Sequence, residues 1–226
     1  MSDAKTESVY DGLAHETSIR AGDRTIRLVR PSEPDRLLDR PEVVAWNASD
    51  DYMPYWAYLW PASILLAGEV ASRSWPGPIE ALELGCGLGV PGLFALASGL
   101  RVRFTDMDRS ALRFVERSGA ANGFDPSSYS TGLLDWRDPP AARYPLILGA
   151  DLTYERRLLP LVASAIAAVL APGGLALVAD PNREAARGFP EALKAAGLAC
   201  EAEAVEAHSD ELGPIRGTIY RIRHLD

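Results

Sequence analysis

Ile79-Glu80-Ala81-Leu82-Glu83-Leu84-Gly85-Cys86-Gly87-Leu88-Gly89 is the stretch that decides the fold. An apolar-rich run suited to a strand ends in three glycines at alternate positions, and a helix-like segment from Val90 to Ser98 follows. Strand, tight turn and helix start in that order let backbone approach a ligand closely, because residues without Cβ leave N–H and C=O groups uncovered. The pattern points to a nucleotide-like cofactor, although dehydrogenases, flavoproteins and methyltransferases all use such a turn.

Outward from the turn, Arg101 to Thr105 is the next strand-like run, and Asp106 ends it 17 positions after Gly89. An acid there can accept hydrogen bonds from ribose hydroxyls. The spacing is GxGxG rather than GxGxxG, and it arrives after about 80 residues instead of at the start. Both facts lean away from a dinucleotide cofactor.

Further strands are expected at Glu80–Leu84, Ser128–Leu133, Leu146–Ala150, Leu175–Ala179, Leu198–Val205 and Ile215–Ile222. Helices are expected near Val90–Ser98, Arg109–Ala121, Arg157–Leu170 and Glu184–Ala196, with Asp108 as N-cap and Asn122-Gly123 as stop of the second. Pro160 must lie in a first turn, so the third of these starts no earlier than about Arg157. The alternation predicts an α/β, doubly wound, mainly parallel seven-stranded Rossmann-like sheet with a late antiparallel hairpin. Residues 1–53 form an N-terminal extension, with a hairpin over 18–30 and a surface loop over 31–51; residues 54–226 form the cofactor-binding domain. Residues 1–17 are expected to contribute no ordered structure.

Composition excludes several classes. With net charge −8 and no Lys/Arg cluster longer than a pair, a phosphate-backbone footprint is missing, so nucleic acid is not expected as a partner. The polar start carries no apolar signal core, which predicts a cytoplasmic protein. Leu161–Ala179 holds no charge, but Pro172-Gly173-Gly174 cuts it into a buried helix and strand rather than a membrane span. Cys86 and Cys200 make neither a disulfide framework nor a metal set, and His15, His208 and His224 sit in polar or terminal stretches.

In a doubly wound sheet, ligands sit beyond the carboxyl ends of the strands. Those ends hold Glu83 to Gly85, Asp106, Asp135, Asp151 and Asp180. Together with Leu134-Asp135-Trp136 and Ala171-Pro172-Gly173-Gly174, they resemble a class I S-adenosylmethionine-dependent methyltransferase. Trp60 and Gly149-Ala150-Asp151-Leu152-Thr153-Tyr154 are similar to the seven-β-strand protein-lysine methyltransferases, which carry an Asp-x-x-Tyr there. The lead-in Pro54-Tyr55-Trp56-Ala57-Tyr58-Leu59-Trp60-Pro61 and Asp180-Pro181-Asn182-Arg183 resemble bacterial relatives of the electron transfer flavoprotein lysine methyltransferase, proteins also described as nicotinamide N-methylase-like. The resemblance covers roughly residues 18–183 and speaks for the cofactor more than the substrate.

It implies roles residue by residue. Gly85, Cys86 and Gly87 would lay backbone against the methionine part of S-adenosyl-L-methionine, with Glu83 attracting its ammonium. Asp106 would take both ribose hydroxyls, Met107 would pack on the adenine, Asp135 would accept the adenine amino group, and Trp136 would close the purine pocket. Trp60 would cover the cofactor, and Ala150 would leave room beside the methyl. Asp151 and Tyr154, three apart on the opening turn of a helix, would orient an acceptor amine and wall its slot.

Plainer roles stand beside these: Trp60, Met107 and Trp136 as core filler, Asp135 as a turn residue, Asp108 as a cap alone, Asp151 as a helix cap, and Asp180–Arg183 as a loop ion pair. The acceptor reads as a lysine on a protein or, alternatively, a small-molecule amine, without a membrane partner. The Asn/Asp-Pro-Pro-Tyr motif of planar-nitrogen methylation is missing at this position. An NAD(P)-dependent oxidoreductase or a non-catalytic cofactor-binding module are the more distant alternatives.

Overall fold

The computed structural model describes residue 10 and residues 12–225. Expectations for residues 1–9 and 11 lie outside the described residues. From Ala14 onward the chain is structured, contrary to the expectation for the first 17 residues: β1 (Ala14–Ala21) pairs antiparallel with β2 (Arg24–Pro31) around Gly22. This hairpin lies on the end of α4 (Arg109–Ala121). Asn122 there accepts the Arg27 N–H at 2.8 Å and donates to its carbonyl, while Ser118 Oγ accepts the Val29 N–H at 2.9 Å. Side-chain amide and hydroxyl thus satisfy strand groups that no further strand reaches.

The stretch expected as a loop over 31–51 instead contains a 3-10 turn at Pro34–Leu37 and a helix, α1 (Pro41–Asp50). Pro41 suits the first turn, and Asp51 ends the helix in the left-handed region at φ 51°. Its apolar residues are few, and Val44 is exposed, so no clear period marks it in the sequence.

The seven-stranded sheet has the order β5-β4-β3-β6-β7-β9-β8. Its strands are β3 (Glu80–Leu84), β4 (Arg101–Asp106), β5 (Tyr129–Leu133), β6 (Tyr144–Ala150), β7 (Leu170–Asp180), β8 (Leu198–Ser209) and β9 (Gly213–His224). The first five run parallel, and β9 is antiparallel to both its neighbours, as the lack of a helix between β8 and β9 requires. One face is covered by α2 (Pro61–Ser72), α3 (Val90–Ala97) and α4, the other by α5 (Leu159–Val169) and α6 (Phe189–Ala195). Buried on both faces, the central strands read as near-continuous apolar runs. Helix α5 starts at Leu159 because Pro160 occupies its first turn, and α6 is shorter than expected because a 3-10 turn, Ala185–Gly188, precedes it. Among the described residues no helix is long and apolar enough to cross a membrane.

Candidate cofactor and acceptor site

A cavity of about 560 Å3 opens at the carboxyl ends of β4, β3 and β6. A second, of about 490 Å3, lies between β1 and the β8–β9 hairpin and is lined by none of the residues expected to carry chemistry.

Gly85 and Gly87 form the floor of the first cavity at φ 56° and 51°, a region that L side chains avoid. A Cβ on Gly85 would stand 3.0 Å from both Trp136 and Leu152. Cys86 is buried between the two glycines, and its N–H donates to the Thr105 carbonyl at 2.8 Å, tying the turn to β4. Burial pushes its thiol well above the ordinary range.

Asp106 braces this turn. Its Oδ2 accepts the Gly87 N–H at 2.8 Å and its Oδ1 accepts the Asp108 N–H at 2.9 Å. Desolvation raises its pKa to about 6 against the pull of those donors. A carboxylate offers about four lone-pair positions, and with Gly87, Asp108 and Met107 drawing on it there is still room for a hydroxyl donor from the cavity. Asp108 caps α4 through the Ser110 N–H at 2.7 Å, as expected, but not as a cap alone: it lines the cavity and accepts the Tyr52 hydroxyl. Burial, against these bonds, holds its carboxyl above the usual range and raises the Tyr52 hydroxyl as well.

Two expected cofactor contacts, Glu83 and Asp135, stand differently. Glu83 does not line the cavity. It is buried beneath the turn, where its Oε2 accepts the Gly92 N–H of α3 at 3.1 Å and desolvation pushes its pKa up, so it reaches no ligand ammonium directly. Asp135 does line the cavity, but its carboxylate is held by the Arg137 guanidinium, which lowers its pKa. Met107 sits at the rim and is 53% exposed, so it is not core filler. Trp136 packs against Gly85, and Ala150 ends β6 at the cavity wall.

The opposite wall is aromatic. Trp60 caps α2, its Nε1 donates to the Tyr55 carbonyl at 2.8 Å, and its ring stands edge-on to that of Tyr55 at 5.8 Å. Tyr55 meets Tyr154 edge-on at 5.5 Å. Asp151 lies beside them, 7% exposed, but it does not open a helix: α5 begins only at Leu159, and Asp151 is a left-handed turn residue at φ 58° whose N–H donates to the Ala179 carbonyl. Nor is there an Asp180–Arg183 side-chain pair. The Arg183 N–H donates to Asp180 Oδ1, while its guanidinium grips both oxygens of Asp151 at 2.6 and 2.9 Å.

Sequence reasoning singled out Arg183 without placing it in the site, and missed Tyr52 and Tyr55 as cavity residues. Arg183 had a signal: Ala150 and Ala179 pair across β6 and β7, so an arginine just past one strand can reach an acid just past the other. Tyr52 had none, since its partner lies 56 residues away.

A glycine floor with positive φ, a carboxylate with free lone pairs at the neighbouring strand end, and a cavity between them fit an adenosyl-amino acid cofactor. The family described as lysine methyltransferase matches residues 50–195. No curated protein matches the chain. Among solved structures, a putative RNA methyltransferase from Pyrococcus horikoshii is 14% identical at TM-score 0.57, with 73% of this chain and 84% of that one covered. The O-methyltransferase NcsB1, solved with S-adenosylmethionine, is 17% identical at TM-score 0.56 over 70% and 52%, and the cyclase SpnF 14% identical at 0.59 over 71% and 80%. These likenesses show the fold, and the family match spans well over half of the chain and covers the whole of the cavity's glycine floor: the chain belongs to the lysine methyltransferase family and is a class I S-adenosylmethionine-dependent methyltransferase.

Proposed function

We propose that this enzyme methylates the side-chain amine of a lysine on a protein. The observation that carries the reading is the aromatic corner of Tyr55, Trp60 and Tyr154 around the buried carboxylate of Asp151, separated from Asp106 by the glycine turn. A slender amine can reach Asp151 there, while its aliphatic stem lies against rings.

Gly85 and Gly87 would support the amino-acid end of the cofactor by backbone, Asp106 would accept its ribose hydroxyls, and Trp136 and Met107 would flank the purine. S-adenosylmethionine supplies a methyl on a sulfonium, an activated donor whose leaving group is a neutral thioether. The chain therefore needs to position and dehydrate the approach rather than activate the donor. Lysine has a pKa of about 10.4 in water, and the ring-lined slot favours its neutral form by desolvation. Asp151 would accept one amine N–H and aim the lone pair, and Tyr154 would form one wall. Methyl transfer would leave the nitrogen cationic, and its extra proton would pass to solvent at the open rim, where Tyr55 is 40% exposed.

The test is transfer of radiolabelled methyl to an extract of cells lacking this protein, separated into protein and small-molecule fractions. Label in protein, recovered as methyl-lysine after acid hydrolysis, is the expected result. Label confined to small molecules overturns the protein substrate.

A further inference from the structure

Asp151 does not meet the cavity as a bare carboxylate. The planar fork of Arg183 holds it through Nε at 2.6 Å and Nη2 at 2.9 Å, and Arg183 is itself fixed by an anchored Asp180 and by a ring. Its N–H donates to Asp180 Oδ1 at 2.7 Å, the other oxygen of Asp180 accepts the Thr153 hydroxyl, and the guanidinium lies 5.5 Å from the Trp60 ring centre. The chain reaches this position through Asn182, left-handed at φ 64° and held by the Thr218 hydroxyl at 2.8 Å. Two non-glycine residues in the left-handed region, at the ends of adjacent strands, thus present one ion pair to the cavity. Backbone in that region persists only where surrounding contacts hold it.

We propose that Arg183 is a positioning residue that sets the charge of the acceptor slot: by neutralising Asp151, it lets that carboxylate accept a hydrogen bond from the acceptor amine without keeping the amine protonated. The inference rests on the amine reading above. An unpaired carboxylate within about 4–6 Å favours the charged amine by roughly 1–3 pKa units, and an ammonium has no lone pair to offer. A carboxylate already paired keeps free lone pairs for the amine N–H while contributing almost no net charge.

The other charged or titratable groups facing the pair do not replace Arg183. Asp180 is turned to Thr153 and the Arg183 backbone, and Glu155 is paired with Arg157. Tyr154, pushed up to about 12 chiefly by burial, stays neutral through the working range, and Tyr55 adds no positive charge.

The deciding experiment measures single-turnover methyl transfer between pH 6 and 10, with the full-length enzyme in excess and the protein fraction labelled in the extract as acceptor. For R183Q the midpoint of the pH–rate rise should move up by on the order of one unit, because Asp151 is left uncompensated. D151N, which leaves Arg183 uncompensated, should move it down by a similar amount. R183K keeps the charge and should stay near the wild type, and the double variant D151N/R183Q should return towards it. Midpoints that coincide with the wild type in both single variants, with only the rates lowered, would mean a structural role and overturn the inference alone. Label found on no amine nitrogen overturns the amine reading and this inference with it. Should R183Q fail to fold, seen as loss of its cooperative thermal unfolding transition, D151N decides alone: a lowered midpoint supports the assignment and an unmoved one overturns it.

Discussion

Bracing the glycine turn and accepting ribose hydroxyls would give Asp106 two tasks that pull its chemistry in opposite directions. Burial holds its pKa at about 6, above the ordinary aspartate value, yet accepting ribose hydroxyls requires the ionised form. A folded-state pKa above the unfolded one means that the folded chain binds this proton more tightly. Ionising Asp106 therefore costs the cofactor-free fold on the order of 2–3 kcal/mol as pH rises from about 4 to 6. Cofactor binding has the reverse slope: calorimetry should show the Kd for S-adenosylmethionine rising about tenfold per unit as pH falls below 6. A flat Kd between pH 7 and 5 would remove Asp106 from the ribose contact. Asp106 was legible because it ends a strand at a fixed distance from the glycine turn. The placement of Glu83 was not, because strand position alone does not say whether a side chain lies above or beneath the turn; Gly92 offers it an N–H below.

Tyr52 to Trp60 forms a strap along the cavity, pinned at one end by Tyr52 on Asp108 and by Asp51 on Arg157 at 3.3 Å, continuous at the other with α2 through its cap Trp60, and braced within itself by Trp60 on the Tyr55 carbonyl. The Asp51 pair is well exposed and contributes little, whereas the Tyr52 hydroxyl meets a buried carboxylate. A hydrogen bond to a charged group contributes roughly 1.5–3 kcal/mol, so Tyr52→Phe should loosen the strap and speed cofactor release by on the order of tenfold. Stopped-flow release at the wild-type rate would show that the strap does not retain the cofactor. The clustering of tyrosine and tryptophan marked this element in the sequence. Helix α1 just before it was hidden, because its residues alternate neither as a helix face nor as a strand, and tertiary contacts decide its form.

At the scale of the whole molecule, the cofactor would join the ends of β3, β4 and β6, the middle of the sheet. Saturation at about a hundredfold the Kd adds roughly 2.7 kcal/mol, so the Tm should rise by about 5–10 °C in a thermal-shift assay. No shift with S-adenosylmethionine would exclude binding at this cavity. The sheet was readable almost strand by strand, since β-α alternation leaves few topologies and the two closing strands lack a helix between them. What eluded the sequence were contacts between distant segments, such as Arg183 with Trp60 and the N-terminal hairpin with α4.

The family match stops short of both outer hairpins, β1–β2 and β8–β9, and those two are tied to each other by Arg30 gripping Glu211 at 2.9 and 2.6 Å. They also flank one groove together, away from the glycine floor. The two hairpins form one joined flank, and that flank is built into the centre: β9 pairs with β7 along Ala176–Asp180, and its Thr218 holds Asn182. Exchanging both hairpins as a unit would therefore carry over into the acceptor slot, through the Asn182 turn that delivers Arg183 to it.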